Sequence, residues 1–227
     1  MLILSIDASS DLCSVALARN GDLLGFEINT EPFQHGRDIN ILIATLLEKC
    51  GCEFNDLSAI SVNKGPGSYT ALRIGMSTAK GLCYGLDIPL ITPSGFDILI
   101  SHARKIHPEA SYYVPMIDAR RMEVYTVDPT PDLQSIGEPK SMVLDPHSFE
   151  NWSQEKVCFI GNGVSKWQAI WSNAEFWIGE QIEIDARMMV EISKTFFEKN
   201  FISNLFMTTP LYIKKPNITR SKKEYFN

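Results

Sequence analysis

The chain has no apolar run long enough to span a bilayer, and no basic segment precedes its first apolar stretch, so the sequence predicts a cytoplasmic protein without a membrane association. Its formal net charge of −6 argues against a protein that binds nucleic acid through a general basic surface. The 4 histidines form no His-x-x-x-His pair, and among the 5 cysteines only Cys50 and Cys52 lie close together in sequence. We therefore predict reduced cysteines, no metal site and no catalytic set built from histidine or cysteine.

What the sequence does contain is a regular succession of strand and helix patterns. Apolar runs with short turns predict three antiparallel strands in the first 30 residues, the second turn being centred on Asn20-Gly21. Two later apolar runs, 112–117 and 122–127, are predicted to pair as a hairpin. Helices are predicted at 36–50, 70–86, 95–105 and 185–199, and further strands at 59–63, 87–91 and 157–160. Together these patterns indicate an α/β protein.

The most distinctive segment is 65–75, which reads Gly-Pro-Gly-Ser-Tyr-Thr-Ala-Leu-Arg-Ile-Gly. It follows a predicted strand and opens a predicted helix, an arrangement that suits both anion binding at a helix N-terminus and close packing of the helix. It lacks the Gly-Lys-Ser/Thr end of a P-loop and the Gly-x-Ser-x-Gly frame of a hydrolase nucleophile. On these residues alone, a structural turn and a ligand cradle are equal alternatives.

A second polar turn, Asp7-Ala8-Ser9-Ser10, also follows a predicted strand. Two such loops facing one another across a cleft could hold a phosphate group, although Asp and Ser are also ordinary turn residues. The candidate phosphate-binding residues are Asp7, Ser9, Gly65, Gly67 and Ser68.

The helix predicted at 70–86 has two apolar faces, and the helix at 36–50 has a second apolar face as well. One face of each helix would cover the sheet, and the other would meet another protein. The predicted interface residues are Ile41, Ala44, Thr45, Leu72, Met76 and Ala79.

Taken together, several segments resemble the TsaB (YeaZ) family, whose members have been labelled glycoprotease-like. The resemblance covers about the first 127 residues in order, and the 65–75 loop is its most specific part. Its other elements are Ile6-Asp7-Ala8-Ser9, Gln34-His35, Lys80-Gly81-Leu82, Ile88-Pro89 and the segment 118–125. The chain departs from the family pattern at Tyr69, where Phe is common, at Ala71, where Gly is common, and after His35, where Gly36-Arg37-Asp38 replaces Ser-Glu.

The resemblance implies an actin/Hsp70/sugar-kinase-like (ribonuclease H-like) fold of two α/β lobes, with mixed sheets flanked by helices. The lobes would comprise residues 1–106 and 107–213, followed by a basic tail at 214–227. Gly75, Asp118 and Arg120 would be structural residues of the family motif.

The resemblance also implies a non-catalytic role in forming N6-threonylcarbamoyladenosine in tRNA. The chain would pair through its N-terminal helices with a catalytic paralogue, TsaD, would be joined by an ATPase, TsaE, and would form a homodimer when alone. No cofactor is expected and any ATP binding would be weak, while tRNA would be contacted only indirectly or through the basic tail. Two alternatives stay open: a nucleotide-binding enzyme or peptidase of the same fold, and a homodimeric scaffold.

Overall fold

The computed structural model describes residues 1–29, 35–168 and 177–214. A five-stranded sheet forms the centre of the N-terminal half, in the order β3-β2-β1-β4-β5. Its strands are β1 (Leu2–Asp7), β2 (Cys13–Arg19), β3 (Asp22–Asn29), β4 (Ala59–Val62) and β5 (Leu90–Ile91). The first three pair antiparallel as predicted, whereas β4 lies parallel to β1 and β5 lies parallel to β4. Asn20 and Gly21 both have positive φ (56° and 93°), which the tight turn between β2 and β3 requires.

Helices cover both faces of this sheet, and every residue of β1 is buried. The helices are α1 (His35–Lys49), α2 (Tyr69–Leu86), α3 (Gly95–Ile106), α4 (Val164–Gln168) and α5 (Met189–Glu198). Leu4 and Ile6 of β1 pack in a core with α1 and α2, whereas Ile3 faces the other way, towards Phe196 and Phe197 of α5. Alternation along the strand therefore places the sheet between two helical layers.

Two three-stranded sheets form the C-terminal half, in the orders β11-β10-β6 and β7-β8-β9. Their strands are β6 (Tyr112–Pro115), β7 (Ile117–Asp118), β8 (Glu123–Thr126), β9 (Lys140–Val143), β10 (Val157–Ile160) and β11 (Trp177–Glu180). The predicted hairpin of 112–117 with 122–127 is wrong for β6, which pairs in parallel with β10. Of the 112–117 run, only Ile117 in β7 pairs antiparallel with β8. Three of the four β6 residues are buried, as is usual for a strand covered on both faces of a parallel sheet.

After α5 the chain returns to the N-terminal half through residues 199–214, here called the return segment. Ser203 forms a β-bridge with Leu90, and the Leu211 N–H donates to the Lys64 carbonyl at 2.7 Å. The Tyr212 ring stacks on Tyr69 of α2, with centroids 4.5 Å apart. The return segment therefore packs with the first sheet, while the predicted lobe boundary at 106/107 stays a prediction. Beyond Lys214, the predicted basic tail lies outside the described residues.

The described part of the chain has no helix that combines the length and apolarity needed to cross a bilayer. All five cysteines fall within it and are free thiols, as predicted.

Candidate functional site

A cleft of about 910 Å³ opens between the two halves of the chain. One wall is the turn after β1 together with the loop that precedes α2. The opposite wall is the β7–β8 turn, and the return segment closes one end. The polar residues that line the cleft include Ser9, Ser10, Asp11, Ser68, Thr70, Asp118, Arg120, Asn162, Glu183 and Lys214.

Asp7 ends β1 behind this cleft and is fully buried. Its Oδ1 accepts hydrogen bonds from Asn63 Nδ2 at 2.8 Å and from the Ser9 N–H at 3.4 Å, while its buried Oδ2 has no partner among the described residues. Burial raises the pKa of Asp7 from 3.8 to about 6, against the opposing effect of these hydrogen bonds. Asp7 is thus a carboxyl group that the fold holds out of contact with solvent.

The glycine loop packs directly on the turn after β1. Ser68 N–H donates to the Ser9 carbonyl at 2.7 Å, and a Cβ at Gly67 would lie 2.1 Å from that same oxygen. Asn63 Oδ1 accepts the Gly65 N–H at 2.9 Å, and Gly65 has a φ of 109°, a conformation that favours glycine. The five predicted phosphate-site residues therefore do come together, and the close approach that requires Gly67 is an approach to protein backbone.

Gly75 brings α2 close to the same turn. A Cβ at this position would lie 3.3 Å from the Ala8 Cβ and 3.6 Å from Val62 Cγ2. A larger residue would push α2 away from the ends of β1 and β4, and the role of Gly75 in the family motif stays a prediction.

The opposite wall is organised by Asp118. Its Oδ1 accepts the Arg120 N–H at 2.5 Å and Lys166 Nζ at 2.6 Å, and Asn162 Oδ1 accepts the Asp118 N–H at 2.7 Å. Arg120 has a positive φ of 69°, which this turn imposes. Asp118 therefore fixes the turn through the backbone of Arg120, and the charge partner of its carboxylate is Lys166.

Sequence reasoning missed Asn162, Lys166 and Glu183 as parts of this wall. The signal for the first was the Gly161-Asn162-Gly163 turn after β10, while Lys166 and Glu183 belong to no recognisable motif. Asn162 Nδ2 donates to Glu183 at 3.1 Å, and partial burial raises the pKa of Glu183. The wall is thus held by polar contacts between residues far apart in sequence, such as Asp118 with Lys166 and Asn162 with Glu183.

Half of the predicted interface residues are not available to a partner. Leu72, Met76 and Ala79 are buried, and Met76 and Ala79 pack against the first sheet, so their assignment to a docking surface is wrong. The face of α2 that they form is the one that covers the sheet. On α1, Ile41 and Ala44 are exposed and Thr45 is half-buried, so their interface role stays a prediction.

Within residues 1–29, 35–168 and 177–214, no three histidine, cysteine, aspartate or glutamate side chains converge as a possible set of metal ligands. The expectations on metals, nucleotide and other cofactors stay predictions.

Comparison with known proteins places the chain in a family. The family model described as TsaD, tRNA N6-adenosine threonylcarbamoyltransferase, matches residues 32–219. The chain is 28% identical to the tRNA threonylcarbamoyladenosine biosynthesis protein TsaB of Escherichia coli over 94% of this chain and 95% of that protein. It is 38% identical to TsaB of Bacillus subtilis, over 56% of this chain and only 54% of that protein.

The solved structure of YeaZ from Pseudomonas aeruginosa superposes with a TM-score of 0.77 at 22% identity, covering 93% of this chain and 99% of that one. This match confirms the predicted α/β fold, in which mixed sheets are flanked by helices. The family model matches more than half of the chain and the similarity to TsaB of Escherichia coli extends over 94% of it, so the chain belongs to the TsaB (YeaZ) family within the wider TsaD family.

Proposed function

We propose that this chain takes part in the biosynthesis of N6-threonylcarbamoyladenosine in tRNA as a non-catalytic subunit. The family relationship supports the process, because the relatives are named for it. The observation that carries the non-catalytic role is the contact between Gly67 and the Ser9 carbonyl. The backbone that could cradle a phosphate is engaged by the protein itself, and the carboxylate of Asp7 is buried behind it.

In this proposal a TsaD-like subunit carries the chemistry, and this chain supports it by binding through its N-terminal helices. Ile41 is 57% exposed on α1, beside the exposed Ala44, so these two side chains offer a partner an apolar surface. A TsaE-like ATPase would join the pair, and the chain would form a homodimer when alone. Contact with tRNA would be indirect or through the basic tail.

The test is reconstitution with purified components. This chain, a TsaD-type subunit and a TsaE-type ATPase are mixed with tRNA, threonylcarbamoyl-adenylate and ATP, and the modified nucleoside is measured by mass spectrometry. We expect modification with all components present, and none when this chain replaces the TsaD-type subunit. Modification by this chain alone would refute the non-catalytic role.

Binding is measured separately by calorimetry. Ile41→Glu should weaken binding to the TsaD-type subunit because it would bury an unpaired carboxylate at the contact. Val143→Glu is the matched control, since Val143 is 65% exposed on β9, which belongs to a different sheet from the one that α1 covers. Equal affinity of both variants would remove α1 from the interface.

One observation favours a nucleotide-binding enzyme instead: the cleft is roomy, and Ser68, Thr70 and Arg120 all line it. Titration with magnesium and ATP decides between the two functions. Tight binding that is lost in Arg120→Ala and Asp7→Ala would support the enzyme, whereas no heat of binding is expected for the accessory subunit.

A further inference from the structure

The described part of the chain ends inside the cleft between its two halves. The last four described residues, 211–214, all line this cleft, and the Leu211 N–H fixes them there by donating to the Lys64 carbonyl at 2.7 Å. The basic tail therefore continues from a point within the cleft. Its first part, residues 215–223, is here called the tail segment.

The wall formed by β7 and β8 shows how the cleft holds an ammonium group. Lys214 Nζ donates to Glu123 Oε2 and lies 5.7 Å from the centre of the Tyr125 ring, so it meets a carboxylate and an aromatic face together. On the same wall, Lys166 Nζ donates to Asp118 Oδ1 at 2.6 Å. Each of these two carboxylates is thereby paired with a lysine of the chain.

Two further carboxylates at the cleft lack a cation. Asp11, in the turn after β1, and Glu183, which follows β11, both line the cleft, and neither forms an ion pair with another described residue. Burial raises the pKa of Glu183 against the opposing hydrogen bond from Asn162, and the negative charges of Asp118 and Asp11 raise it further. These carboxylates therefore repel one another, and a cation placed between Asp11 and Glu183 would relieve that repulsion.

We propose that the tail segment lies in the cleft and that one of its basic side chains pairs with Asp11 and Glu183. The segment contains four basic residues and no acidic residue. The basic residues are Lys215, Arg220, Lys222 and Lys223. Opposite charge is thus combined with a covalent attachment inside the cleft, and attachment raises the effective concentration of the segment far above that of a free ligand.

The tail segment is long enough for this contact. Arg220 lies six positions beyond Lys214. Six extended residues span about 20 Å, which exceeds the edge of a cube with the cleft volume of 910 Å³. The methylene groups of its basic side chains could pack on apolar residues that line the cleft, such as Leu12 and Ile184.

This inference goes beyond the proposed function and does not rest on it. A tail segment bound in the cleft would occupy the space that a nucleotide would need. It would also have to leave the cleft before the basic tail could contact tRNA. The cleft would then be a site for a segment of the chain itself rather than for a small molecule.

The test is limited digestion of the full chain with trypsin, in which mass spectrometry measures the rate of cleavage within the tail segment. A bound segment is protected, so this rate reports the fraction of molecules in which the segment is free. At low salt, the chain should be cleaved more slowly than a free peptide of residues 215–227, and added salt should remove the difference. Equal rates at low salt would overturn the proposal.

Two double variants locate the contact. Asp11→Asn with Glu183→Gln should be cleaved about fivefold faster than the unsubstituted chain, as expected for the loss of two exposed ion pairs. Glu48→Gln with Asp87→Asn is the matched control, because it removes two negative charges from exposed positions that do not line the cleft. This control should be cleaved like the unsubstituted chain, and equal thermal unfolding midpoints would show that all three chains are folded.

The remaining outcomes contradict the proposal. If the cleft variant is cleaved no faster than the unsubstituted chain, Asp11 and Glu183 do not hold the tail segment. If the control is cleaved as fast as the cleft variant, total charge and not the cleft decides the rate. If protection increases with protein concentration, the tail of a second copy occupies the cleft, and the assignment to the same chain is wrong.

Discussion

Asp7→Asn should change how the stability of this protein depends on pH. Asp7 is fully buried, and its folded-state pKa is about 6, compared with an ordinary value of 3.8. At about 1.4 kcal/mol per pH unit, this difference corresponds to about 3 kcal/mol of free energy of unfolding. Because the folded-state pKa is raised, that stability is fully present below pH 3.8 and is lost as the pH rises through about 6.

The asparagine variant removes the titration and keeps the shape. Its amide oxygen can still accept from Asn63 and from the Ser9 N–H, and its NH2 group replaces the oxygen that has no partner among the described residues. Burying that NH2 group costs free energy, but the cost does not depend on pH. This cost therefore shifts the whole pH profile of the variant without changing its slope.

The assay is urea unfolding at intervals between pH 4 and pH 7.5. The unsubstituted chain should lose roughly 2.4 kcal/mol more than Asp7→Asn across this range, because a small part of the difference is already lost at pH 4. Asp11→Asn is the matched control, since it removes an exposed carboxylate from the same turn and should leave the profile of the unsubstituted chain unchanged. Parallel profiles for Asp7→Asn and the unsubstituted chain would show that Asp7 does not titrate here and would refute the reasoning.

Four further substitutions test the packing around α2. Gly67→Ala should lower the free energy of unfolding by roughly 1–3 kcal/mol in chemical denaturation, because its Cβ would lie 2.1 Å from the Ser9 carbonyl; an unchanged midpoint would contradict the tight contact. Gly81→Ala, on α2 at a position with open space, should instead raise the free energy of unfolding by up to about 1 kcal/mol. A lower free energy of unfolding would show that the position is already covered. Met76→Glu should lower the thermal unfolding midpoint strongly, because Met76 is only 4% exposed. Ser77→Glu should scarcely change this midpoint, because Ser77 is exposed. Similar midpoints would contradict the assignment of Met76 to the buried face of α2 and Ser77 to the exposed face.

Local patterns predicted the elements of the first half closely. The helix predicted at 70–86 is found at Tyr69–Leu86, and the Asn20-Gly21 turn has the backbone that such a turn requires. These features depend on hydrophobic period and on turn residues, which act over a few positions. The length of β5 was less well predicted, because only Leu90 and Ile91 of the 87–91 run are strand.

Long-range pairing was not accessible from the sequence. The run at 112–117 looked like the first arm of a hairpin, yet β6 joins β10, more than forty positions away, and leaves only β7 to pair with β8. An apolar run of that length can pair with β8 or with β10. Which strand it pairs with depends on which faces of the run are covered by the rest of the fold.

By itself, the sequence determined the α/β class, the glycine loop, the helix that it opens and the resemblance to a family. The tertiary structure alone decided which face of α2 is inside. Two of its faces are apolar, and packing buries Met76 against the sheet and leaves Ser77 and Gly81 exposed. The tertiary structure also decided that Gly67 packs on the Ser9 carbonyl and that the buried Asp7 accepts a hydrogen bond from Asn63. Each of these contacts joins residues more than fifty positions apart. A helix period states which residues share a face, but only the neighbours brought by folding determine what that face meets.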